Sequence, residues 1–331
     1  MAIEIRKDST IVDVVLAEAR HERIDSNDRE NADKLIKDLA VEPNPHNKYQ
    51  ISQLVKFAVN DIIKRDTNFL DAIADTKRVG FNDKAEFDIK LPGVRAFVQA
   101  KGATTPRTKN SRKAFTMETL AVSARPFVNI VELQGGLANA AELINDAAYQ
   151  MEVAINRHVE DVLVQGVRNW SAPYYAQGSG LVKATLDPEI LHWIRTTGGA
   201  TILGDIGLLN QLYGLTGFVA TTNTQLNDEL LGEQNRNAFI GTYNGAKVLN
   251  LINPFAEDGT DSLVFRNTNM LYILPNAIDP AMRPLKVVFE GDVFSAEQNN
   301  IDDMSWEIRM DQYFNAAIAY GDRPYMSVYE A

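Results

Sequence analysis

The chain has 331 residues, 45% hydrophobic, 23% charged and 8% aromatic, which is the composition of a globular protein and not of a disordered or fibrous one. Its formal charge of −11 argues against a general nucleic-acid binder, because phosphate binding needs a basic surface. The lack of cysteine excludes disulfides, thiol catalysis, Cys-ligated zinc and iron–sulfur clusters. No segment has the character of a signal peptide or a membrane span. We expect a soluble intracellular protein of roughly two domains.

The sequence motifs of common enzymes are missing. The four histidines are far apart, and none stands at metal-ligand spacing to another. There is no phosphate loop, no dinucleotide-binding glycine motif, no HExxH motif and no nucleophile elbow. The sequence therefore predicts no catalytic residue, no cofactor and no metal site.

Residues 1–76 form the first predicted region. Residues 1–47 are highly charged and weakly patterned, and they end in Pro43 and Pro45, which break helices. They predict an arm that packs on something else, with a short helix over residues 11–20. Apolar side chains between residues 51 and 73 recur mostly at helical spacing and predict a helical segment.

Strand-like alternation marks the second region, residues 77–120. Residues 85–91 alternate apolar and polar side chains, Pro92 and Gly93 interrupt them, and residues 114–133 are again rich in β-forming residues. We interpret this pattern as a two-armed ribbon whose strands are about 12–15 residues long, or ~40–50 Å. A compact chain of this length has a radius of gyration of only ~20 Å, so part of the ribbon is expected to project.

The charge of the ribbon is opposite to that of the remaining chain. Residues 77–113 contain ten basic and three acidic residues, a net charge of +7 that leaves −18 elsewhere. The segment is either a solvated basic loop or a projection that meets an acidic surface on another copy of the chain. Nucleic-acid binding is disfavoured, because residues 101–113 have no aromatic side chain to stack on bases. The second interpretation predicts these inter-subunit contacts: Lys101, Arg107, Lys109, Arg112 and Lys113.

A long helix is the clearest predicted element. Residues 137–165 contain neither Gly nor Pro, and apolar side chains recur there at helical spacing until Gly166, which is expected to end the helix. Such a helix is ~43 Å long. Its apolar stripe, which includes Met151, is expected to be core, and residues 121–187 form the domain around it.

The last two predicted regions are residues 188–266 and 267–331. The former is rich in glycine and predicts a small inserted α/β domain, with strands at residues 218–222 and 246–252 and a helix at 224–231. The latter predicts mainly strands, which are expected to pair with residues 114–133 beneath the long helix. The first of these strands, residues 262–266, lies at the end of the preceding region, and the others are expected at residues 270–274, 285–289, 305–313, 316–320 and 325–329.

This order of elements resembles the major capsid proteins of tailed bacteriophages, which have the Hong Kong 97-type fold, an α+β fold. By this resemblance residues 77–120 correspond to the extended hairpin called the E-loop, 137–165 to the spine helix, 188–266 to the axial domain, and 121–187 with 267–331 to the peripheral domain. The resemblance implies that subunits form hexamers and pentamers of an icosahedral shell around double-stranded DNA. It also implies a place in the virion, assembly in the host cytoplasm and no membrane.

The resemblance also implies partners: a scaffolding protein, a portal protein and, in some phages, a decoration protein. Some family members carry a long scaffold segment that a protease removes, but only 76 residues precede the predicted E-loop here, so a separate scaffolding protein is expected. Other members join subunits by Lys–Asn isopeptide bonds. Lys101, Lys109 and Asn315 are the candidate residues, but their spacing does not mark them as reactive, and we expect no cross-link.

Two alternatives remain open at the level of sequence. An encapsulin shell protein has the same fold but encloses a protein cargo; the long charged arm of residues 1–47 favours the phage shell instead. An enzyme or ligand-binding protein in which residues 188–266 form a lid is the other alternative. The contents of purified particles, or elution of the protein as a monomer, would separate these possibilities.

Overall fold

The computed structural model describes residues 25–41, 73–91, 93–98, 104–129, 140–220, 239–251, 266–276, 278–300 and 304–331, with a few single positions or pairs elsewhere. In these residues the architecture is mixed α+β, with two sheets and a two-stranded hairpin arranged around one long helix. The helices predicted at residues 11–20, 51–73 and 224–231 lie outside the described residues, apart from single positions.

The described helices are α1 (Ser26–Val41), α2 (Ala140–Val167), α3 (Lys183–Thr197) and the short α4 (Ile206–Leu209). Two short 3-10 helices cover Asn210–Gly214 and Pro280–Met282. The strands are β1 (Ala74–Val79), β2 (Glu86–Leu91), β3 (Ser111–Thr116), β4 (Leu120–Ala124), β5 (Phe127–Asn129), β6 (Tyr175–Gln177), β7 (Ala200–Gly204), β8 (Phe218–Ala220), β9 (Phe239–Tyr243), β10 (Ala246–Asn250), β11 (Met270–Pro275), β12 (Leu285–Asn300), β13 (Ser305–Ile318) and β14 (Ser327–Glu330).

The first sheet has the strand order β1–β12–β13–β4, and β5 also pairs with β13. Its centre is the long antiparallel pair β12–β13, and β1 joins β12 in parallel, with Ala74 opposite Leu285. The two strands predicted at residues 305–313 and 316–320 are one continuous strand, β13. The sequence did not predict β1, because its charged residues are more typical of an exposed loop than of a strand inside a sheet. These residues are Asp75, Lys77 and Arg78.

The second sheet has the strand order β6–β14–β11–β7–β10–β9–β8. The expectation that β11 and β14 pair with residues 114–133 is wrong, since both strands lie in this sheet, where β11 pairs with β7 and β14. The reason is that both faces of β11 are buried. One face enters the core beneath α2 and the other the core beneath α3, through Met270, Tyr272, Leu271 and Ile273. The second sheet therefore uses strands from outside residues 188–266.

Helix α2 packs on both sheets through a single apolar strip. The strip consists of Ile144, Ala147, Ala148, Met151, Ile155, Val159, Leu163 and Val167. It contacts β4 and β13 of the first sheet, and the same core includes Tyr272 and Val328 of the second. The prediction of a long helix across a sheet made from both parts of the chain is confirmed. α1, from the predicted arm, lies against α2.

The end of α2 differs from the prediction. Gly166 does not end the helix, which continues to Val167. A Cβ at position 166 would lie 2.1 Å from Cδ1 of Ile318 on β13, so the glycine allows the helix to approach the first sheet closely. Here glycine serves close packing and not helix termination.

A buried carboxyl group lies in the second core. Glu189 on α3 is only 2% exposed, beside the buried Ile190 and Trp193. Neither carboxyl oxygen has a hydrogen-bond partner among the described residues. Burial raises the pKa of Glu189 to about 9, so the group is neutral at pH 7.

This burial makes stability depend on pH. The folded-state pKa of Glu189 is raised to about 9, so its stabilising contribution is complete at low pH and decreases as pH rises toward that value. The decrease is at most about 1.4 kcal/mol per pH unit. In urea unfolding at pH 5 and pH 8, Glu189→Gln should gain stability relative to the parent chain at pH 8. An equal difference between variant and parent at both pH values would contradict this assignment.

The strip on α2 gives a second prediction. Met151 is 1% exposed, so Met151→Lys places an ammonium group in the core shared by both sheets, and we expect a loss of several kcal/mol and insoluble protein. Ala154 on the same helix is exposed, which makes Ala154→Lys the matched control. Soluble expression and thermal unfolding of both variants provide the measurement. A Met151→Lys chain as stable as Ala154→Lys would show that the strip is not core.

Candidate inter-subunit contact surface

The predicted ribbon is the hairpin formed by β2 and β3. The strands pair in antiparallel register from Glu86 opposite Thr116 to Leu91 opposite Ser111. The ladder is six residues long, so the prediction of strands of about 12–15 residues is wrong. The cause is Pro92, which follows β2 and has no backbone N–H to donate.

The two arms stay together beyond the ladder through side chains. The Oδ1 atom of Asn110 accepts hydrogen bonds from the backbone N–H of Gly93 at 2.9 Å and of Val94 at 3.2 Å. The Oγ1 atom of Thr108 accepts one from the N–H of Arg95 at 3.2 Å. Residues 93–95 and 108–110 therefore extend the pairing of the hairpin without regular secondary structure, and the tip continues through residues 96–98 and 104–107.

The base of the hairpin packs on the first sheet. Phe87 of β2 is fully buried and forms a small cluster with Ala85 and with Val288 of β12. Val287 and Phe289, the neighbours of Val288, enter the α2 core. Because successive strand residues point to opposite faces, the hairpin covers the face of the first sheet that is opposite α2.

A buried ion pair lies under this base. The Nζ atom of Lys286, whose side chain is fully buried, donates to Oδ2 of Asp75 and to the carbonyl oxygen of Ala281, both at 2.9 Å. Desolvation lowers the pKa of Lys286, and Asp75 acts against that shift. The ammonium groups of Lys286 and Lys77 also lie 5.8 Å and 5.0 Å from the ring centre of Phe87. The Phe87 ring therefore has two ammonium groups close to it, an arrangement that is typical of cation–π interactions.

The five predicted contact residues are all exposed; four lie on the second arm of the hairpin, and Lys101 lies between the two arms. They are Lys101, Arg107, Lys109, Arg112 and Lys113. They do not form a single patch, because Arg112 and Lys113 are successive residues of β3 and point to opposite faces. Arg112 lies 3.5 Å from Asp88 within the hairpin. The other four have no ion pair to any residue that the structure describes.

Sequence reasoning missed three apolar side chains in the first arm of the tip. Val94, Phe97 and Val98 are 66%, 43% and 106% exposed. Their signal was present in the sequence, since apolar residues flank Arg95 in a segment of the ribbon that was expected to project. The tip thus combines exposed apolar groups with cations, a composition typical of protein–protein contact surfaces.

Comparison with protein families identifies the chain. The family described as "SPbeta prophage-derived putative capsid protein YonB" matches residues 7–329. The chain belongs to this capsid-protein family. The resemblance to phage capsid proteins, drawn from the order and lengths of the elements, is confirmed.

Among solved structures, a phage capsid shows the same fold at low sequence identity, and two further structures are similar to the chain. The mature capsid of bacteriophage PhiM1 matches with a TM-score of 0.50 and 13% identity, over 78% of this chain and 85% of that chain. The head of Helicobacter pylori bacteriophage KHP40 gives 0.49 and 12%, over 78% and 88%. A virus-like particle from Pyrococcus furiosus gives 0.49 and 13%, over 85% and 100%. No curated protein matches the chain.

In this capsid protein the candidate residues for a cross-link lie in different elements of the structure. Asn315 lies on β13, and its Nδ2 atom donates to the carbonyl oxygen of Glu118 at 2.5 Å, whereas Lys101 and Lys109 are exposed on the hairpin. The Asn315 amide is therefore already bonded within its own subunit. The described residues contain no group of three potential metal ligands, and none of the described helices is long and apolar enough to cross a membrane.

The bonded state of Asn315 supports the expectation of a non-covalent shell. Mature particles boiled in detergent should give one electrophoretic band near 36.8 kDa. A ladder of heavier bands that resists boiling would contradict this prediction. The Asn315→Ala variant is then the control, because loss of the ladder in that variant would assign the bond to this residue.

Proposed function

We propose that the chain is the major subunit of an icosahedral phage head, which assembles as hexamers and pentamers around double-stranded DNA. In this proposal β2, β3 and the tip between them are the E-loop, α2 is the spine helix, and the second sheet carries the axial domain. The observation that carries the proposal is the exposed cationic and apolar tip of a hairpin in a chain of a capsid-protein family.

The tip is suited to bind a second copy of the chain. Among the described residues, Lys101, Arg107, Lys109 and Lys113 have no ion-pair partner, while the chain outside residues 77–113 has a net charge of −18. Opposite charge favours and orients such an encounter, and exposed apolar residues such as Val98 add area that contact would bury. A shell repeats each contact many times, so every single contact can be weak.

The proposed role is structural and not catalytic. It places the chain in the virion after assembly in the host cytoplasm, with a scaffolding protein, a portal protein and, in some shells, a decoration protein as partners. The net charge of −11 suits a container that holds DNA without binding its sequence.

The contents of purified particles test this role. Nuclease-treated particles should still contain DNA; particles that hold only a protein cargo would support an encapsulin-type shell instead.

Charge reversal at the tip tests the contact. We expect the triple variant Arg107→Glu, Lys109→Glu, Lys113→Glu to fold normally, because all three residues are exposed and outside the core. Assembly should fail or should need high salt, because carboxylates would now meet an acidic neighbour and ~1 M salt shortens screening to ~3 Å. Arg112 is left unchanged because of its contact with Asp88. Sedimentation at low and high salt measures assembly.

The control applies the same charge change elsewhere. Lys34, Arg195 and Lys247 are exposed residues outside the hairpin, and their triple Glu variant carries the same net charge. The control should assemble at low salt. Normal assembly of the tip variant would show that the hairpin is only a solvated loop, and failure of both variants would point to total charge and not to the tip.

A further inference from the structure

One carboxylate holds both ends of the hairpin. Glu290 of β12 accepts a hydrogen bond at Oε1 from the backbone N–H of Asn82, at 2.8 Å, and one at Oε2 from the hydroxyl of Thr119. Asn82 precedes β2 and Thr119 follows β3, so these are the places where the hairpin leaves and returns to the first sheet. The two hydrogen bonds, that from Thr119 first, lower the pKa of Glu290.

The strand is shaped at this point to receive the hairpin. The register of β12 against β13 shifts between Glu290 and Phe294, which marks a β-bulge, and Gly291 within it has φ +65. A Cβ on Gly291 would lie 2.5 Å from the ring of Phe81, which instead packs over the glycine and edge-on to Tyr313 at 6.2 Å. The bulge thus leaves room for Phe81, which lies in the segment that leads from the first sheet into β2.

A second carboxylate binds the hairpin near the end of β2. Lys90, near the end of β2, forms an ion pair with Asp279, which also accepts from the N–H of Ala281 at the start of a 3-10 helix. These contacts, led by that with Lys90, lower the pKa of Asp279. Between the two carboxylates, the buried large side chains of β2 are Phe87, which is fully buried, and Ile89, which is 7% exposed.

We propose that Glu290 and Asp279 form a latch that fixes the direction of the hairpin, and that the hairpin lifts from the sheet as one unit when both are released. The unit is the intact β2–β3 ladder. It turns about two irregular segments: residues 80–85, where Asn82 has φ +63, and residues 117–119. This inference rests on the proposed function, because in a shell the latch would determine where the tip reaches the neighbouring subunit.

Spin-label distances test the latch. The chain has no cysteine, so Ser111→Cys on β3 and Lys247→Cys on β10, both exposed, give one defined pair of nitroxides. The full-length labelled chain is diluted with unlabelled chain so that only distances within a subunit are measured. The parent should give one narrow distance. In Glu290→Ala with Asp279→Ser, where serine keeps the helix cap but cannot reach Lys90, a second population at a different distance should appear.

The controls separate release of the latch from unfolding. Glu118→Ala removes an exposed carboxylate one residue from Thr119 and should leave the single distance unchanged. The milder Thr119→Val removes one of the two hydrogen bonds that hold the Glu290 carboxylate, so amide exchange at Asn82 should become roughly ten-fold faster with circular dichroism unchanged. A single narrow distance in the double variant, or unchanged exchange in Thr119→Val, would overturn the latch. The tip-reversal variant should keep the parental distance even if it does not assemble, so the two proposals fail separately.

Discussion

The apolar strip of α2 is the contact on which the other parts of this fold depend. It packs on β4 and β13 from the first sheet and shares its core with β11 and β14 from the second. A hydrogen bond also joins α2 to the second sheet. The hydroxyl of the buried Tyr272 on β11 donates to Oε1 of Glu160 on α2 at 2.6 Å. Burial raises the pKa of Glu160. One helix thereby joins two sheets between which no strand pairing occurs in the part of the chain that the structure describes.

The first sheet is consequently covered on both faces at its β1–β12 side. Val287 and Phe289 enter the core beneath α2, and the base of the hairpin packs against Val288. A strand buried on both faces tolerates a charged side chain only if that charge is compensated. Lys286 meets this condition through Asp75 and the carbonyl oxygen of Ala281. With Glu290 and Asp279 in contact with it, the hairpin is thus part of the packed body at its base and extends from it at the tip.

Sequence patterns predicted what depends on local order along the chain. The helical spacing around Met151 located α2, the alternation from residue 85 to 91 located β2, and the exposed tip cations followed from charge. Long-range pairing was not predictable in the same way. Nothing local shows that β11 pairs with β7, or that the polar segment containing Asp75 is a strand, because its charge is compensated by Lys286 more than two hundred residues later. Glu290 was missed for the same reason, since its two partners are remote in sequence.

The binding of both ends of the hairpin to Glu290 affects how the length of the hairpin can vary. Asn82 and Thr119 are held side by side on one residue, so the fold fixes the separation of the ends but not the length of chain between them. Lengthening a closed loop costs little, about 0.6 kcal/mol for each doubling. Insertions among residues 93–110 would change how far a subunit reaches while its folded body stays the same. If the tip contacts a second copy of the chain as proposed, the spacing of subunits can change at the tip independently of the two cores.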